Sequence, residues 1–105
     1  NDVQLNYYYG STLLLLKKFD DAIKVLSHTT SLNPKYEDAY LTLATSYLLK
    51  GDVNNGLSCY SKVIELNPKN ASAYYYSGLI LKSKGDTLKA NEFINKAASL
   101  GYNPK

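Results

Sequence analysis

Apolar residues recur along this chain at intervals of three and four, the spacing that lines one stripe of an α-helix. In the stretch from Tyr40 to Pro68, Tyr40, Leu43, Ala44 and Tyr47 form one such stripe, and Gly56, Tyr60, Val63 and Ile64 form a second. The period predicts six helices, over about Asp2–Lys17, Asp20–Leu32, Tyr36–Lys50, Val53–Leu66, Asn70–Lys84 and Thr87–Leu100. No linker or low-complexity segment separates them. Asn55-Gly56, a favoured hairpin-turn dipeptide, is placed inside a helix because Gly56 occupies a slot that holds Ala22 and Ala90 elsewhere.

The pattern repeats every 34 residues. Sliding back from the central stretch finds Asn6, Tyr9, Gly10, Leu13, Ala22, Leu26 and Asn33-Pro34; sliding forward finds Tyr74, Ser77, Gly78, Leu81, Gly85-Asp86, Ala90, Ile94 and Ala97. Two slots hold only small residues in every copy, Gly10, Ala44 and Gly78 in the first helix and Ala22, Gly56 and Ala90 in the second. Glycine costs a helix interior roughly 1 kcal/mol against alanine, so these slots predict that paired helices approach too closely for a larger side chain. Gly51-Asp52 supplies a left-handed stop and then an acceptor for the next helix's free amides. Asn67-Pro68 closes the second helix, since a proline pushes its predecessor out of helical geometry.

These residues resemble the tetratricopeptide repeat (TPR), read as Tyr40-x2-Leu43-Ala44-x2-Tyr47, Gly56-x3-Tyr60 and Pro68. The likeness covers nearly the whole chain in three copies, at about 3–36, 37–70 and 71–105. It departs where Asn6 replaces a large opening residue, Ser77 replaces Leu, Lys17-Lys18 stands in place of Gly-Asp, and Pro104 falls two residues late. It implies an all-α fold, a right-handed α-α superhelix of three antiparallel helix hairpins forming a single domain.

The resemblance also implies that the first helix of each hairpin lines a concave groove for a peptide or helix. The groove positions are then Tyr7, Tyr8, Ser11 and Leu14; Asp38, Leu41, Thr42 and Thr45; and Tyr75, Tyr76, Leu79 and Lys82, with Gln4, Leu15, Leu48, Leu49 and Ser72 beside them. Tyrosine offers large contact area at low entropic cost plus a hydroxyl. The plainer alternative is that Tyr7, Tyr8, Tyr75 and Tyr76 only pack between neighbouring repeats, as is expected of Tyr40, Tyr47, Tyr60 and Tyr74. Some co-chaperone relatives grip a terminal carboxylate with Lys, Asn and Arg, and the matching positions here are Tyr7, Ser11, Thr42, Ser72 and Tyr76. None could neutralise a buried carboxylate, which argues against chaperone tails and for a neutral or apolar partner segment.

Composition narrows the classes. The chain has 12 Lys and no Arg, 9 acidic residues, 11 Tyr and a net charge of +3. So weak a basicity does not argue for nucleic acid or a membrane surface, and among groove positions only Lys82 is cationic. No apolar run approaches the length that spans a bilayer. One cysteine excludes an internal disulfide and leans toward a reducing, cytoplasmic compartment.

Chemistry for catalysis is sparse. His28 is the lone histidine and is expected to face solvent; Cys59 is expected to pack rather than react. No Cys/His cluster has metal spacing, no cofactor loop follows a strand, and Asn70-Ala71-Ser72 reads as a helix cap rather than a glycosylation site. The expectation is a non-enzymatic protein-protein interaction module; the alternative is a scaffold segment assembling through its terminal repeat edges. Leu88, Phe93, Ile94, Ala97, Ala98 and Leu100 make the last helix rich in apolar residues, which predicts continuation of the array past Lys105 or packing against another copy. The opening Asn in place of Met points the same way, to an excerpt or a processed chain.

Overall fold

The helical periodicity is realised in six helices of 13 or 14 residues: α1 (Asp2–Leu15), α2 (Phe19–Leu32), α3 (Glu37–Lys50), α4 (Val53–Leu66), α5 (Ala71–Ser83) and α6 (Thr87–Ser99). The computed structural model describes residues 2–103, none of them in a strand; Pro104, the closing proline of the third repeat, lies outside the described residues. Each helix matches its predicted span to within two residues, and Asn55-Gly56 sits inside α4.

One backbone device ends every first helix. After α3, the Gly51 N–H donates to the Leu48 carbonyl at 3.0 Å and the Asp52 N–H to that of Tyr47 at 2.9 Å, with Gly51 at φ 98°. After α5, Gly85 at φ 88° donates to Lys82 and Asp86 to Leu81, both at 3.0 Å. These paired bonds satisfy carbonyls that the helix leaves unpaired, and they need a left-handed residue at the turn. The acidic residue then caps the next helix, Asp52 accepting from the Asn55 N–H and Asp86 from the Lys89 N–H, both at 3.3 Å. The first hairpin lacks the Gly-Asp pair yet makes the same turn, with Lys17 donating to Leu14 and Lys18 to Leu13 at 2.9 Å. Lys17 is thereby driven to φ 61°, and Lys18 caps α2 with no side-chain bond.

The chain packs as two compact units, one up to Cys59 and one from Tyr60. In the first, α1 lies on α2 and α2 on α3, around a core of Leu13, Ala22, Leu26 and Leu43. Tyr7, Leu14, Ile23, Val25, Tyr47 and Cys59 pack against that core. An ion pair between Lys50 and Asp20 ties the end of α3 to the start of α2. In the second unit, α5 lies along α6, with Ala73, Ser77, Ile80, Leu81, Ala90 and Ala97 buried. Tyr74 meets Phe93 edge-on at 5.7 Å between ring centres, and the Lys89 ammonium stands 5.8 Å above the Phe93 ring. Of the apolar residues on α6, Ala97 is buried and Phe93, Ile94 and Leu100 are half-buried, while Leu88 and Ala98 stand exposed.

Small residues let these helices meet. A Cβ placed on Gly78 would lie 2.6 Å from Ile94 Cγ1 and 3.1 Å from the Ala90 carbonyl oxygen; one on Gly10 would lie 2.6 Å from Leu26 Cγ. Gly56 differs, because its nearest atoms, the Ala44 carbonyl oxygen at 3.4 Å and the Leu48 nitrogen at 3.6 Å, would admit a methyl. The expectation that every small slot is closed to a larger side chain is corrected there. Each hairpin carries one glycine and one alanine at the two slots, Gly10 with Ala22, Ala44 with Gly56 and Gly78 with Ala90, so the single methyl changes helix in the middle hairpin.

Candidate functional site

The predicted first-helix positions divide between the two units. In the first, Tyr7 is half-buried and lies 5.7 Å from Tyr8 and 5.1 Å from Tyr36, ring centre to ring centre. Its hydroxyl meets Thr42 Oγ1 at 3.4 Å, joining the α1 and α3 positions. Tyr8 is 55% exposed, and its hydroxyl accepts from Gln4 Nε2 at 3.1 Å. Ser11 is half-buried, and its Oγ is enclosed without a hydrogen-bond partner. Leu14 is half-buried against the core, Leu41 is half-buried, and Asp38 is exposed. Thr45 turns its hydroxyl inward to the Leu41 carbonyl at 3.0 Å.

In the second unit, Tyr75 and Tyr76 meet edge to face at 5.4 Å. Tyr60, buried on α4, stacks on Tyr76 at 5.7 Å, and Tyr102 stacks on Tyr75 at 4.7 Å. Leu79, 38% exposed, and the exposed Lys82 continue the same helix face. The Tyr102 phenol is pushed up to about 12, first by a hydrogen bond with Tyr76 and then by burial. Burial likewise raises the Tyr36 phenol, with Tyr7, Asp38 and Tyr8 adding to it.

Tyr36 and Tyr102 were absent from the sequence reading of the site, because both lie in connecting segments and share no helical period. A signal was present for Tyr102. Leu32 and Leu66 run directly into Asn-Pro, whereas Gly101-Tyr102 is inserted between Leu100 and Asn103. Surface hollows lie elsewhere, one at the Lys17–Asp21 turn beside Lys50, one around Tyr74 and Phe93, and one around Leu5 and His28.

Reactive chemistry is missing from these faces. Cys59 is half-buried and burial raises its thiol to about 11, so it stays protonated. Among the described residues no group of three or more His, Cys, Asp or Glu side chains is placed to hold a metal ion, and no helix is long and apolar enough to cross a membrane.

Six helices paired as hairpins, each closed by the same turn and repeated at a fixed period, define a helical-repeat protein. A family model for the TPR repeat matches residues 45–85, and the chain belongs to the tetratricopeptide-repeat family, its helices making three repeats. BBSome complex member BBS4 of Bos taurus is 30% identical over 98% of this chain. The crystal structure of MamA superimposes with a TM-score of 0.91 at 28% identity over 93% of this chain. YrrB, described as a TPR protein with an unusual peptide-binding site, superimposes with a TM-score of 0.87 at 26% identity over 94%. The chain spans 19% of BBS4, 57% of the MamA chain and 51% of the YrrB chain.

Proposed function

We propose that this chain is a non-enzymatic interaction module whose first-helix faces hold a neutral peptide or helix of a partner protein. The observation that carries this reading is the uncharged aromatic surface on those helices: Tyr8 beside Tyr7 and Thr42 in the first unit, and Tyr75, Tyr76 and Leu79 in the second. Tyrosine is enriched at interfaces because it combines apolar area with a polar tip. YrrB, a protein of the same fold, has a peptide-binding site, which supports a peptide as the ligand class. Ser11, Leu14, Asp38, Leu41, Thr42 and Thr45 complete the face of the first unit and Lys82 that of the second, and a carboxylate-terminated tail finds no clamp on either.

The test is selection of a displayed random-peptide library on the wild type, followed by binding to the Tyr8→Ser, Leu79→Ser, Lys82→Glu variant. These three side chains are exposed, so the variant keeps its fold, whereas truncating the stacked Tyr7, Tyr75 or Tyr76 would also remove packing. Selected peptides are expected to lose at least about tenfold in affinity. Equal binding to both proteins defeats the reading.

A second reading, assembly through a repeat edge, is favoured by one feature. Leu5 and Tyr9 on α1 are 66% and 57% exposed, while Ala39 and Leu43, in the same register of α3, are 0% and 5% exposed. At the other edge, α6 contributes the exposed Leu88. A mass that rises with concentration in sedimentation, and falls back in a Leu5→Glu, Tyr9→Glu variant, would establish that role; a fixed monomer mass would remove it.

A further inference from the structure

The two units carry the same aromatic device. Tyr7 and Tyr75 hold one register position and Tyr8 and Tyr76 the next, and each pair takes a third ring from a connecting segment, Tyr36 on Tyr7 and Tyr102 on Tyr75. The third rings differ in how they are held. Tyr36 runs straight into α3 at Glu37. Tyr102 lies in a non-helical stretch entered through Gly101 at φ 92°, within the two-residue insertion ahead of Asn103.

We propose that the Tyr75–Tyr76 pair is a binding site for an unmodified tyrosyl side chain on a non-helical segment of a partner protein, and that Tyr102 occupies this site in cis until a partner replaces it. This rests on the first-helix faces being the partner-binding surface. Tyr102 displays the chemistry of the ligand. Its ring stacks on Tyr75 at 4.7 Å and 29°, the edge of Tyr75 is fixed by Tyr76 at 75°, and Tyr76 is backed by the buried Tyr60. Tyr76 raises the Tyr102 phenol, an interaction that a phenyl ring would lack. The backbone that delivers it is not helical, so the matching partner segment is non-helical. The rings that surround it, Tyr75, Tyr76 and Tyr60, bear no positive charge to receive a phosphate, so the unmodified phenol is the ligand.

The probe is a synthetic peptide copying residues 100–105, acetyl-Leu-Gly-Tyr-Asn-Pro-Lys-amide, titrated while the tyrosine ring resonances are followed by NMR. In the wild type the peptide is expected to move the Tyr75, Tyr76 and Tyr102 rings, the last toward free tyrosine. In Tyr102→Ala the same peptide is expected to bind about tenfold tighter, the gain for a site filled in cis about nine-tenths of the time. A peptide with Ala or phosphotyrosine in place of Tyr is expected to move neither protein's rings. The proposal is overturned if Tyr102→Ala, helical by circular dichroism, binds no tighter than the wild type, or if the alanine or phosphotyrosine peptide binds equally well. Should Tyr102→Ala unfold, an unmoved Tyr102 resonance in the peptide-saturated wild type overturns it alone. Library peptides that still bind through Tyr8 and Leu79 would show that only this proposal has failed; if neither probe binds, the interaction surface itself is refuted.

Discussion

Lys17→Gly is expected to stabilise this protein. Three turns share one hydrogen-bond pattern, and two of them place glycine at the left-handed residue, Gly51 at φ 98° and Gly85 at φ 88°. The third forces Lys17 to φ 61°. A left-handed conformation costs a residue with a Cβ roughly 1–2 kcal/mol. Glycine returns about 0.5–1 kcal/mol of that through the greater freedom of its unfolded chain. The net gain is about 0.5–1 kcal/mol, or a rise of about 3–6 °C in melting temperature for a chain of this size. Lys17→Ala supplies the control, since it removes the charge and the long side chain while keeping the strained Cβ. Thermal unfolding by circular dichroism should rank Lys17→Gly above both the wild type and Lys17→Ala. Conversely, Gly51→Ala and Gly85→Ala should each lose about 0.5–1 kcal/mol, a purely conformational loss because an added Cβ meets nothing within 4 Å at either site. A Lys17→Gly protein that melts at or below Lys17→Ala refutes the reasoning.

Other outcomes follow from packing and titration. Gly78→Ala should destabilise by about 1–3 kcal/mol because the methyl meets Ile94 and the Ala90 carbonyl, whereas Gly56→Ala should gain up to about 1 kcal/mol of helix propensity; urea midpoints read both. Ser77→Ala should raise the urea midpoint by about 1 kcal/mol, because the Ser77 Oγ is buried with no hydrogen-bond partner. The Tyr102 phenol is raised from about 10 in the unfolded chain to about 12 in the fold, so the unfolded state releases its proton first and stability falls as pH rises from 10 toward 12. The melting temperature of Tyr102→Phe should fall less than that of the wild type between pH 9 and pH 11. Cys59, with its thiol raised to about 11, should react with a disulfide reagent at pH 8 about a hundredfold more slowly in the folded protein than after denaturation, and equal rates would contradict its packing.

Hairpin organisation was legible in the sequence because a 3.6-residue period and a 34-residue period reinforce each other across six helices. Even the misleading Asn55-Gly56 yielded to that agreement. Legibility stopped at contacts that have no period. Tyr36 is expected inside a helix and instead precedes it, its ring tilted against Tyr7, and Tyr102 lies in an insertion entered through Gly101. The small slots could be located but not gauged, since Gly56 and Gly78 look alike in sequence and differ by 0.8 Å in the space left for a methyl. At Lys17 the missing Gly-Asp pair was visible, but the fact that the turn keeps its bonds and strains the lysine was not.

Glycine at the first-helix slots of the first and third hairpins restricts how these repeats can be recombined. A chimera that puts α3 in the place of α1 or α5 would set the Ala44 methyl where Gly10 or Gly78 leaves no room, against Leu26 in one case and against Ile94 and the Ala90 carbonyl in the other. The first helix of the middle hairpin is therefore not interchangeable with its counterparts unless Ala44 is exchanged for Gly, whereas the second-helix slot at Gly56 accepts either residue.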